Sequence, residues 1–246
     1  MESSLETSSQ LLVIIPTYNE AENIAGVLSK LFSLALPLHV LVVDDRSPDG
    51  TATRVKDLQP PYDGRLFLLE RGGKQGLRAA YFAGFAWAQA QNRYQWIQHM
   101  DADGQHDPQD VARFYQYALE HRAQVVVGQR RKEGMHVGKL SFSRTLLTRC
   151  GYWYVRFLLG IKLNDLTTGF KLYSVAAIDY LIKHPCRAKH YIFQMESLYL
   201  LRRGGFRLDP LDIAFHKRLH GQSKLSFRII IEAIYFPLLL RLRRDT

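Results

Sequence analysis

Five short apolar segments, rich in leucine and β-branched residues, alternate with helical patterns along the first half of the chain. The predicted strands are Leu11–Pro16, Leu38–Asp45, Arg65–Arg71, Gln95–Asp101 and Ala123–Arg130. The predicted helices are Glu20–Phe32, Thr51–Leu58, Gly76–Ala90 and Pro108–His121, the last with Asp107 as its N-cap. Continuous apolar strands that alternate with helices indicate βαβ units. The sequence therefore predicts an α/β fold with a mostly parallel, Rossmann-like sheet covered by helices on both faces.

Polar segments follow these strands directly. They read "PTYNE", "DDRSPDGT", "RGGKQG", "DADGQHDP" and "GQRRKEG". In open α/β sheets the ligand crevice forms at the carboxyl ends of the strands. The order of elements therefore predicts one composite site built from five loops.

The length of 246 residues suits one large domain with a short appendage. Residues 1–10 are polar, lack the features of a secretory signal and are predicted to be a disordered tail. Residues 11–226 are predicted to form the α/β domain, and residues 227–246 an amphipathic C-terminal segment. Cys150 and Cys186 provide no disulfide framework and no metal-ligand spacing, which favours a reducing compartment.

Basic charge is concentrated in the second half of the chain. Residues 1–128 contain 11 Lys and Arg against 15 Asp and Glu, whereas residues 129–246 contain 22 against 8. Nucleic acid, anionic lipid or a phosphorylated ligand would each explain this excess, and so would a merely solvated surface. Nucleic acid is disfavoured because the aromatic residues lie in apolar helical patterns and not on a basic strand surface.

Two basic segments contain many aromatic and aliphatic residues, Arg144–Lys162 and Phe227–Arg244. Such segments are typical of helices that lie in a membrane interface. The uncharged stretch after Glu232 is shorter than the roughly 18 residues expected of a spanning helix. Ordinary packing or dimer helices remain the alternative.

Asp101 and Asp103 follow the fourth predicted strand. If the chain is still extended there, both carboxylates lie on one side, because side chains alternate along a strand. Two adjacent carboxylates repel each other unless a cation is present, and Mg²⁺ or Mn²⁺ typically takes one or two carboxylates plus phosphate oxygens. Gln105 adds a neutral oxygen ligand. A D-x-D pair alone is weak support, since Asp is common in turns, and His106 is interpreted as a local turn residue and not as a base.

The second loop contains Asp44, Asp45 and Asp49. A carboxylate at a strand end can accept hydrogen bonds from a nucleobase or a ribose, whereas Asp49 is expected to cap the following helix. In the first loop, Tyr18 could stack on a base and Glu20 could accept a hydrogen bond. Alternatively, Glu20 simply begins a helix.

These motifs in this order resemble the family 2 glycosyltransferases of the GT-A fold. The resemblance lies in "VIIPTYNEAENI", "VVDDRSPDGT", "MDADGQHDP", "DLTTGFKLY" and "KRLHGQSK", and covers the chain from Leu11 to about Phe227. The first three motifs are shared widely in that family. The last two are similar to those of the polyprenol (dolichol) phosphate mannosyltransferases.

The resemblance implies a role for each matching position. Residues that would hold the nucleoside are Pro16, Tyr18, Glu20, Val43 and Asp45. Residues that would hold the metal and the sugar nucleotide are Asp101, Ala102, Asp103 and Gln105. The cations that would act on phosphate are Arg130, Arg218 and Lys224, and with Asp103 they would form the catalytic set. The sequence departs from the family pattern at Gln222, at Leu166 and Thr168, and at Arg78, which stands in place of a glycine.

The expected function is inverting, metal-dependent transfer of mannose from GDP-mannose to a polyprenyl phosphate by a protein held peripherally on the cytoplasmic face of a membrane. Transfer of glucose from UDP-glucose, or of another sugar, is the alternative within the same chemistry. A non-catalytic nucleotide- or membrane-binding adaptor is the alternative from another class. The acceptor phosphate is already ionised near neutral pH, so no strong base is needed, and Asp165 and Glu196 remain candidates for orienting the acceptor or the sugar.

Overall fold

The computed structural model describes residues 10–62, 64–130, 154–188, 192–216 and 227–242, with the backbone alone for residues 227–234. The strands are β1 (Leu11–Thr17), β2 (Leu38–Asp44), β3 (Leu66–Glu70), β4 (Trp96–His99), β5 (Val125–Arg130), β6 (Lys171–Ser174) and β7 (Leu208–Ile213). The helices are α1 (Ala21–Phe32), α2 (Thr51–Leu58), α3 (Leu77–Gln91), α4 (Gln109–His121), α5 (Val175–Lys183), α6 (Ile192–Arg203) and α7 (Phe227–Leu242). Residues 154–159 are also helical. The predicted tail up to residue 9 and most of the first amphipathic segment lie outside the described residues.

The nine elements predicted for the first half all form, with bounds that differ by two residues or fewer. Helix α4 shows how local chemistry sets such a bound. Pro108 already has helical dihedral angles (φ −57°, ψ −26°), and Asp107 Oδ1 accepts a hydrogen bond from the backbone N of Gln109 (3.0 Å). Asp107 therefore caps the helix as predicted.

The strands that the structure describes form one sheet in the order β3-β2-β1-β4-β6-β5-β7. β6 runs antiparallel to β4 and β5, and the other neighbouring pairs are parallel. The sheet is thus mostly parallel, as predicted, but β6 and β7 were not anticipated. β6 has only four residues and includes a lysine. β7 contains Pro210 and two aspartates, which an edge strand tolerates.

Each face of the sheet carries its own apolar core. Along β1, Leu12 and Ile14 join the core under α3, α5, α6 and α7, whereas Leu11, Val13 and Ile15 join the core under α1, α2 and α4. Packing of α3 on the sheet is close, because a Cβ at Gly84 would lie 2.9 Å from Ile14 Cγ2.

Helix α7 packs one side on the protein and exposes the other. Leu240 is buried in the core under α6, and Phe236 packs against the same core. Tyr235, Leu239 and Leu242 are exposed. Within the described ranges, no helix combines the length and the apolarity needed to cross a bilayer.

Candidate active site

The loops that follow β1, β2 and β3 contact one another. The backbone N of Glu20, in the first loop, donates to Thr51 Oγ1 at the start of α2 (3.0 Å). Lys74, in the third loop, places its ammonium 3.9 Å from the centre of the Tyr18 ring. Three of the five loops predicted to form one site therefore meet, and two of the predicted nucleoside-binding residues lie where they meet.

Two aspartates of the second loop hold this part of the structure together. Asp44 is fully buried and accepts a hydrogen bond from Thr17 Oγ1 (2.7 Å). Asp49 accepts from the backbone N of Thr51 (3.0 Å) and from the backbone N of Ala21 (3.0 Å), the first residues of α2 and α1. The predicted capping role of Asp49 is confirmed, and it extends to a second helix.

Asp45, predicted to bind the nucleoside, is paired with an arginine of the third loop. Arg71 Nη1 lies 2.5 Å from Asp45 Oδ1, and the backbone N of Gln75 donates to Asp45 Oδ2 (3.2 Å). Both charged side chains are nearly buried, with exposed fractions of 10% for Arg71 and 6% for Asp45. The pair is a tertiary contact between loops 26 residues apart, and no local pattern signalled it.

The remaining predicted nucleoside-binding residues sit on the strands or at a helix start. Pro16 and Val43 are opposite each other in the β1–β2 register. The Val43 side chain is fully buried in the core under α3, so a nucleoside at this position would contact its backbone. Glu20 immediately precedes α1, and its carboxylate accepts from Asn23 Nδ2 (2.9 Å). The reading of Glu20 as a helix start is therefore confirmed.

The carboxylate loop bends sooner than predicted. β4 ends at His99, and the chain is already bent over residues 102–104. The premise that it stays extended through Asp103 is therefore wrong. Gly104 has a positive φ (+74°), which glycine adopts without strain. The turn brings the backbone N of Gln105 to Asp103 Oδ1 (3.1 Å), while Ala102 is buried in the core under α4.

Asp101 lies against the "DLTTGF" segment. A Cβ at Gly169 would lie 2.7 Å from Asp101 Oδ2, so only glycine permits this approach. The hydroxyl of Tyr81, from α3, donates to Asp101 Oδ1 (3.4 Å). His106 is buried beside it and accepts at Nδ1 from the backbone N of Asp101 (3.3 Å). Burial lowers the pKa of His106, against the opposing charge of Asp103, so the imidazole stays neutral. That His106 does not act as a base stays a prediction.

Arg130 forms an ion pair with Asp165. Its Nε donates to Asp165 Oδ2, and its Nη2 donates to Thr167 Oγ1 (3.0 Å). Its guanidinium also lies 5.1 Å from the centre of the Phe215 ring. Burial raises the pKa of Asp165, but the hydrogen bond from Arg130 and the charge of Arg130 together lower the pKa by more than burial raises it. The carboxyl is therefore ionised. Asp165 therefore holds Arg130 in place.

The carboxylate loop is also joined to the end of β7. The backbone N of His216 donates to the Gln105 carbonyl (2.9 Å), and Gln105 Nε2 lies 3.4 Å from the His216 carbonyl. His106 bridges to Phe215 in the same place. Phe215 and His216, which contact the predicted metal-binding loop, directly precede the "KRLHGQSK" motif. Arg218 and Lys224 of that motif lie outside the described residues.

Lys171 is a buried cation that sequence reasoning missed. It is fully buried, and its Nζ donates to the carbonyl and to the side chain of Gln194. Burial lowers the pKa of Lys171 to about 7, although the charges of Asp165, Cys186 and Asp101 oppose that shift. The signal was a lysine inside the apolar run "GFKLY", which is unusual for a residue that is almost never fully buried.

The side chains of Glu196 and Arg78 are both engaged by one segment, residues 186–188. Glu196, on α6, is fully buried and accepts from the backbone N of Arg187 (2.8 Å) and of Ala188 (2.7 Å). Arg78, the departure from the family pattern on α3, donates to the Cys186 carbonyl (2.6 Å). Glu196 thus holds this segment in place. Its candidate role in orienting the acceptor or the sugar stays a prediction.

The oxygen ligands in the carboxylate loop fit a divalent cation that shares its coordination with a ligand. Asp101, Asp103 and Gln105 offer hard oxygen atoms, and Asp103 is nearly buried. Within the described residues, no group of three or more His, Cys, Asp and Glu is arranged to hold a metal by itself. Two carboxylates with one amide suit Mg²⁺ or Mn²⁺ only when phosphate oxygens complete the coordination sphere.

Comparison with known proteins identifies the family. The family model "Glycosyl transferase family 2" matches residues 12–182, which include β1 from Leu12 onward, β2 to β6, the carboxylate loop and the Arg130–Asp165 pair. The chain belongs to glycosyl transferase family 2. It is therefore a glycosyltransferase, as the motifs predicted.

Two curated relatives match nearly the whole chain. The polyprenol monophosphomannose synthase of Mycolicibacterium smegmatis is 34% identical over 233 residues, which cover 95% of this chain and 87% of that protein. The undecaprenyl-phosphate mannosyltransferase of Micrococcus luteus is 35% identical over 225 residues, which cover 92% of this chain and 91% of that protein.

Solved structures agree on the fold. The glucosyl-3-phosphoglycerate synthase of Mycobacterium tuberculosis, crystallised with Mn²⁺, UDP-glucose and phosphoglyceric acid, superposes with a TM-score of 0.66. The alignment covers 98% of this chain and 82% of that chain, at 18% identity. The predicted GT-A fold is confirmed.

Proposed function

We propose that this glycosyltransferase moves mannose, with inversion, from GDP-mannose to a polyprenyl phosphate, assisted by Mg²⁺ or Mn²⁺. The reaction takes place on the cytoplasmic face of a membrane to which the protein is bound peripherally. The mannosyl donor and the lipid acceptor are supported by the names of the two relatives, which match more than nine-tenths of the chain.

The observation that carries the proposal is that the carboxylate loop and Arg130 meet at Phe215 and His216, the residues that follow β7. Gln105 is bonded to His216, and His106 and Arg130 both contact the ring of Phe215. Arg130, the predicted phosphate-binding cation, and His106, which directly follows the predicted metal ligand Gln105, are thus held against the same aromatic side chain. Departure of a nucleoside diphosphate builds charge on phosphate oxygens, and fixed cations in such a place stabilise that charge.

Asp101, Asp103 and Gln105 would hold the divalent cation, which when bound supplies positive charge to the diphosphate leaving group. Arg130 adds a planar guanidinium that is oriented by Asp165 and Thr167. Such a fork matches phosphate geometry, which a point charge does not. Arg218 and Lys224 are assigned to phosphate binding from the family motif alone.

No side chain described in the site needs to act as a strong base. A polyprenyl phosphate oxygen is already ionised near neutral pH and attacks the sugar directly. His106 is kept neutral by burial, Asp165 is paired with Arg130, and Glu196 is bonded to backbone. The arrangement therefore suits an acceptor that arrives as an anion.

Helix α7 supports peripheral membrane binding. Tyr235, Leu238, Leu239 and Leu242 have exposed fractions of 46%, 43%, 53% and 75%, which is typical of a helix whose apolar side lies in the membrane interface. Its 16 residues extend about 24 Å, less than the bilayer core of about 30 Å. If the helix instead packs against another copy of the chain, vesicle binding will survive its deletion.

The assay is transfer to lipid. The purified protein is incubated with polyprenyl phosphate, Mn²⁺ or Mg²⁺ and labelled GDP-mannose, UDP-glucose or other sugar nucleotides, and organic-extractable label is measured. We expect mannose to be transferred from GDP-mannose alone, with activity lost in excess EDTA and restored by the metal. Preference for UDP-glucose would support the alternative donor, and nucleotide binding without turnover would support an adaptor.

Asp103→Asn tests the metal assignment within that assay. We expect transfer to fall by about a thousandfold or more, because one charged ligand is lost while the shape is kept. Asp57→Asn, on the exposed face of α2, is the matched control and should leave transfer unchanged. Full activity of Asp103→Asn, or of the wild-type protein in chelator, would refute the assignment.

A further inference from the structure

A cavity of about 230 Å³ lies between the segment that follows the 154–159 helix and the end of α6, and none of its lining residues belongs to the five loops of the candidate site. Its floor is apolar and includes Ile161 and Leu163. Its walls carry three cations, Lys162, Arg202 and Arg207.

The three cations differ in what already neutralises them. Arg207 is anchored, because its Nε lies 2.9 Å from Asp209 Oδ2 and its Nη2 donates to a backbone carbonyl. Lys162 and Arg202 have no hydrogen-bond or ion-pair partner among the residues that the structure describes. Gly160, which has a positive φ (+64°), turns the chain beside Arg202, and a Cβ at Gly160 would lie 3.6 Å from Arg202 Nη2.

Lys162 and Arg202 both line the cavity and are both exposed, so an anion bound in the cavity would be attracted to both charges. A volume of about 230 Å³ is below the 300–1,000 Å³ that is typical of sites for whole small molecules. The cavity therefore suits a single phosphate group, and a sugar nucleotide is too large for it. Arginine and lysine are also the side chains that bind phosphate most often.

The surroundings of the cavity favour a phosphate that belongs to a lipid. Helix α6, whose Arg202 lines the cavity, packs against α7, and Ile161, Leu163 and Leu240 belong to one core cluster. Leu242, on the exposed side of α7, is 75% exposed. Phe157, three residues before Gly160, is 80% exposed, the largest exposed fraction among the large apolar side chains described. Both elements that share this core with the cavity thus expose apolar side chains suited to the acyl boundary.

We propose that Lys162 and Arg202 bind the headgroup phosphate of an anionic membrane lipid other than the acceptor. The bound lipid anchors this face of the protein on the bilayer. The proposal goes beyond the proposed transfer reaction, since none of the cavity residues belongs to the catalytic loops, and it rests on the proposed membrane association for the source of the phosphate.

The test is vesicle binding by the full chain carrying Lys162→Gln together with Arg202→Gln. Vesicles of phosphatidylcholine alone are compared with vesicles of equal parts phosphatidylcholine and phosphatidylglycerol. We expect the affinity for the anionic vesicles to fall by about fivefold for each cation removed. The matched control is Lys30→Gln with Arg54→Gln, which removes the same charge from exposed positions on α1 and α2. The control should lose about twofold or less, because those charges lie far from the proposed lipid face.

Two results would overturn the proposal. Equal losses in the two double variants would show that net charge alone draws the protein to the membrane. Calorimetric binding of inorganic phosphate that only the Lys162/Arg202 variant loses, with vesicle binding unchanged, would assign the cavity to a soluble anion.

Transfer to a short, water-soluble polyprenyl phosphate separates this proposal from the catalytic one. The Lys162/Arg202 variant should keep wild-type turnover in that assay, and a loss there would place the cavity in the acceptor site. If the wild-type protein transfers nothing, the proposed function fails while the vesicle comparison keeps its meaning.

Discussion

Two arginine–aspartate pairs stand on opposite sides of the candidate site, and they differ in burial. Arg71 and Asp45 join the loops after β3 and β2, with 10% and 6% of their side chains exposed. Arg130 and Asp165 join the end of β5 to the segment before β6, and Arg130 keeps 26% of its side chain exposed.

The hydrogen-bond partners of the two guanidiniums also differ, and Arg130 is again the less enclosed of the two. Arg71 gives its second nitrogen to Gln75, in its own loop (2.6 Å). Arg130 gives its second nitrogen to Thr167 and lies over the ring of Phe215. The first pair therefore stabilises the contact between two loops. The second pair presents an oriented, partly exposed cation where a diphosphate is proposed to bind.

Of the two arginines, Arg130 should have the larger effect on catalysis when it is removed. Arg130→Ala should lower kcat by about 100- to 1,000-fold, because it removes a fixed donor from the charge that develops in the transition state. Arg130→Lys should recover only part of this loss, since an ammonium has neither the fork nor the planar stack. Steady-state kinetics with saturating donor are the measurement.

Arg71→Ala is the matched variant for that experiment. It should raise the KM of the sugar nucleotide and lower stability more than it lowers kcat. Equal kcat losses in Arg71→Ala and Arg130→Ala would erase the difference between the two pairs.

Asp45→Asn should have the largest effect on stability. It leaves Arg71 charged, nearly buried and uncompensated, which costs about 3 kcal/mol in the free energy of unfolding. Asp45→Asn combined with Arg71→Met should recover most of that loss, because an apolar side chain in place of a buried charge is often neutral. Urea denaturation of the single and double variants measures both values, and a double variant no more stable than Asp45→Asn would show that the pair is not coupled.

Strands β1 to β5 could be predicted from sequence nearly to the residue, and β6 and β7 could not. β1 to β5 are apolar runs bounded by polar loops, so the signal for each element is local. β6 has four residues and begins with a lysine, and β7 contains Pro210, so neither shows such a run.

The contacts that fix the site residues are mostly tertiary. Asp45 meets Arg71 across 26 residues, and Arg130 meets Asp165 across 35. The family resemblance identified Asp45 and Arg130 as candidates, and the place of Asp45 at a strand end added to its case. Their partners depend on how distant loops are packed, which no local pattern encodes.

Lys171, the first residue of β6, provides a pH-dependent test. Burial lowers its pKa to about 7, whereas in the unfolded chain a lysine titrates near 10.4. Between these values the unfolded chain binds more protons, so the penalty for burying the ammonium is full at low pH and disappears as the pH rises. Relative to Lys171→Met, the wild-type protein should gain about 1 kcal/mol of stability per pH unit above about pH 7. Chemical denaturation at several pH values measures this gain, and parallel pH profiles would show that Lys171 titrates normally.

The smallest effect is expected at Asp49, in the loop between β2 and α2. Asp49→Ala removes the acceptor for the backbone N of Ala21 and of Thr51, and the loss of such a cap costs about 1 kcal/mol. Asp49→Asn keeps an acceptor and should keep most of the stability. Turnover and the KM of the sugar nucleotide should not change in either variant, because the Asp49 carboxylate is engaged between the two helix starts. A raised KM at unchanged stability would mean that Asp49 contacts the donor. The loop that follows β2 would then bind the sugar nucleotide directly and not only support the site.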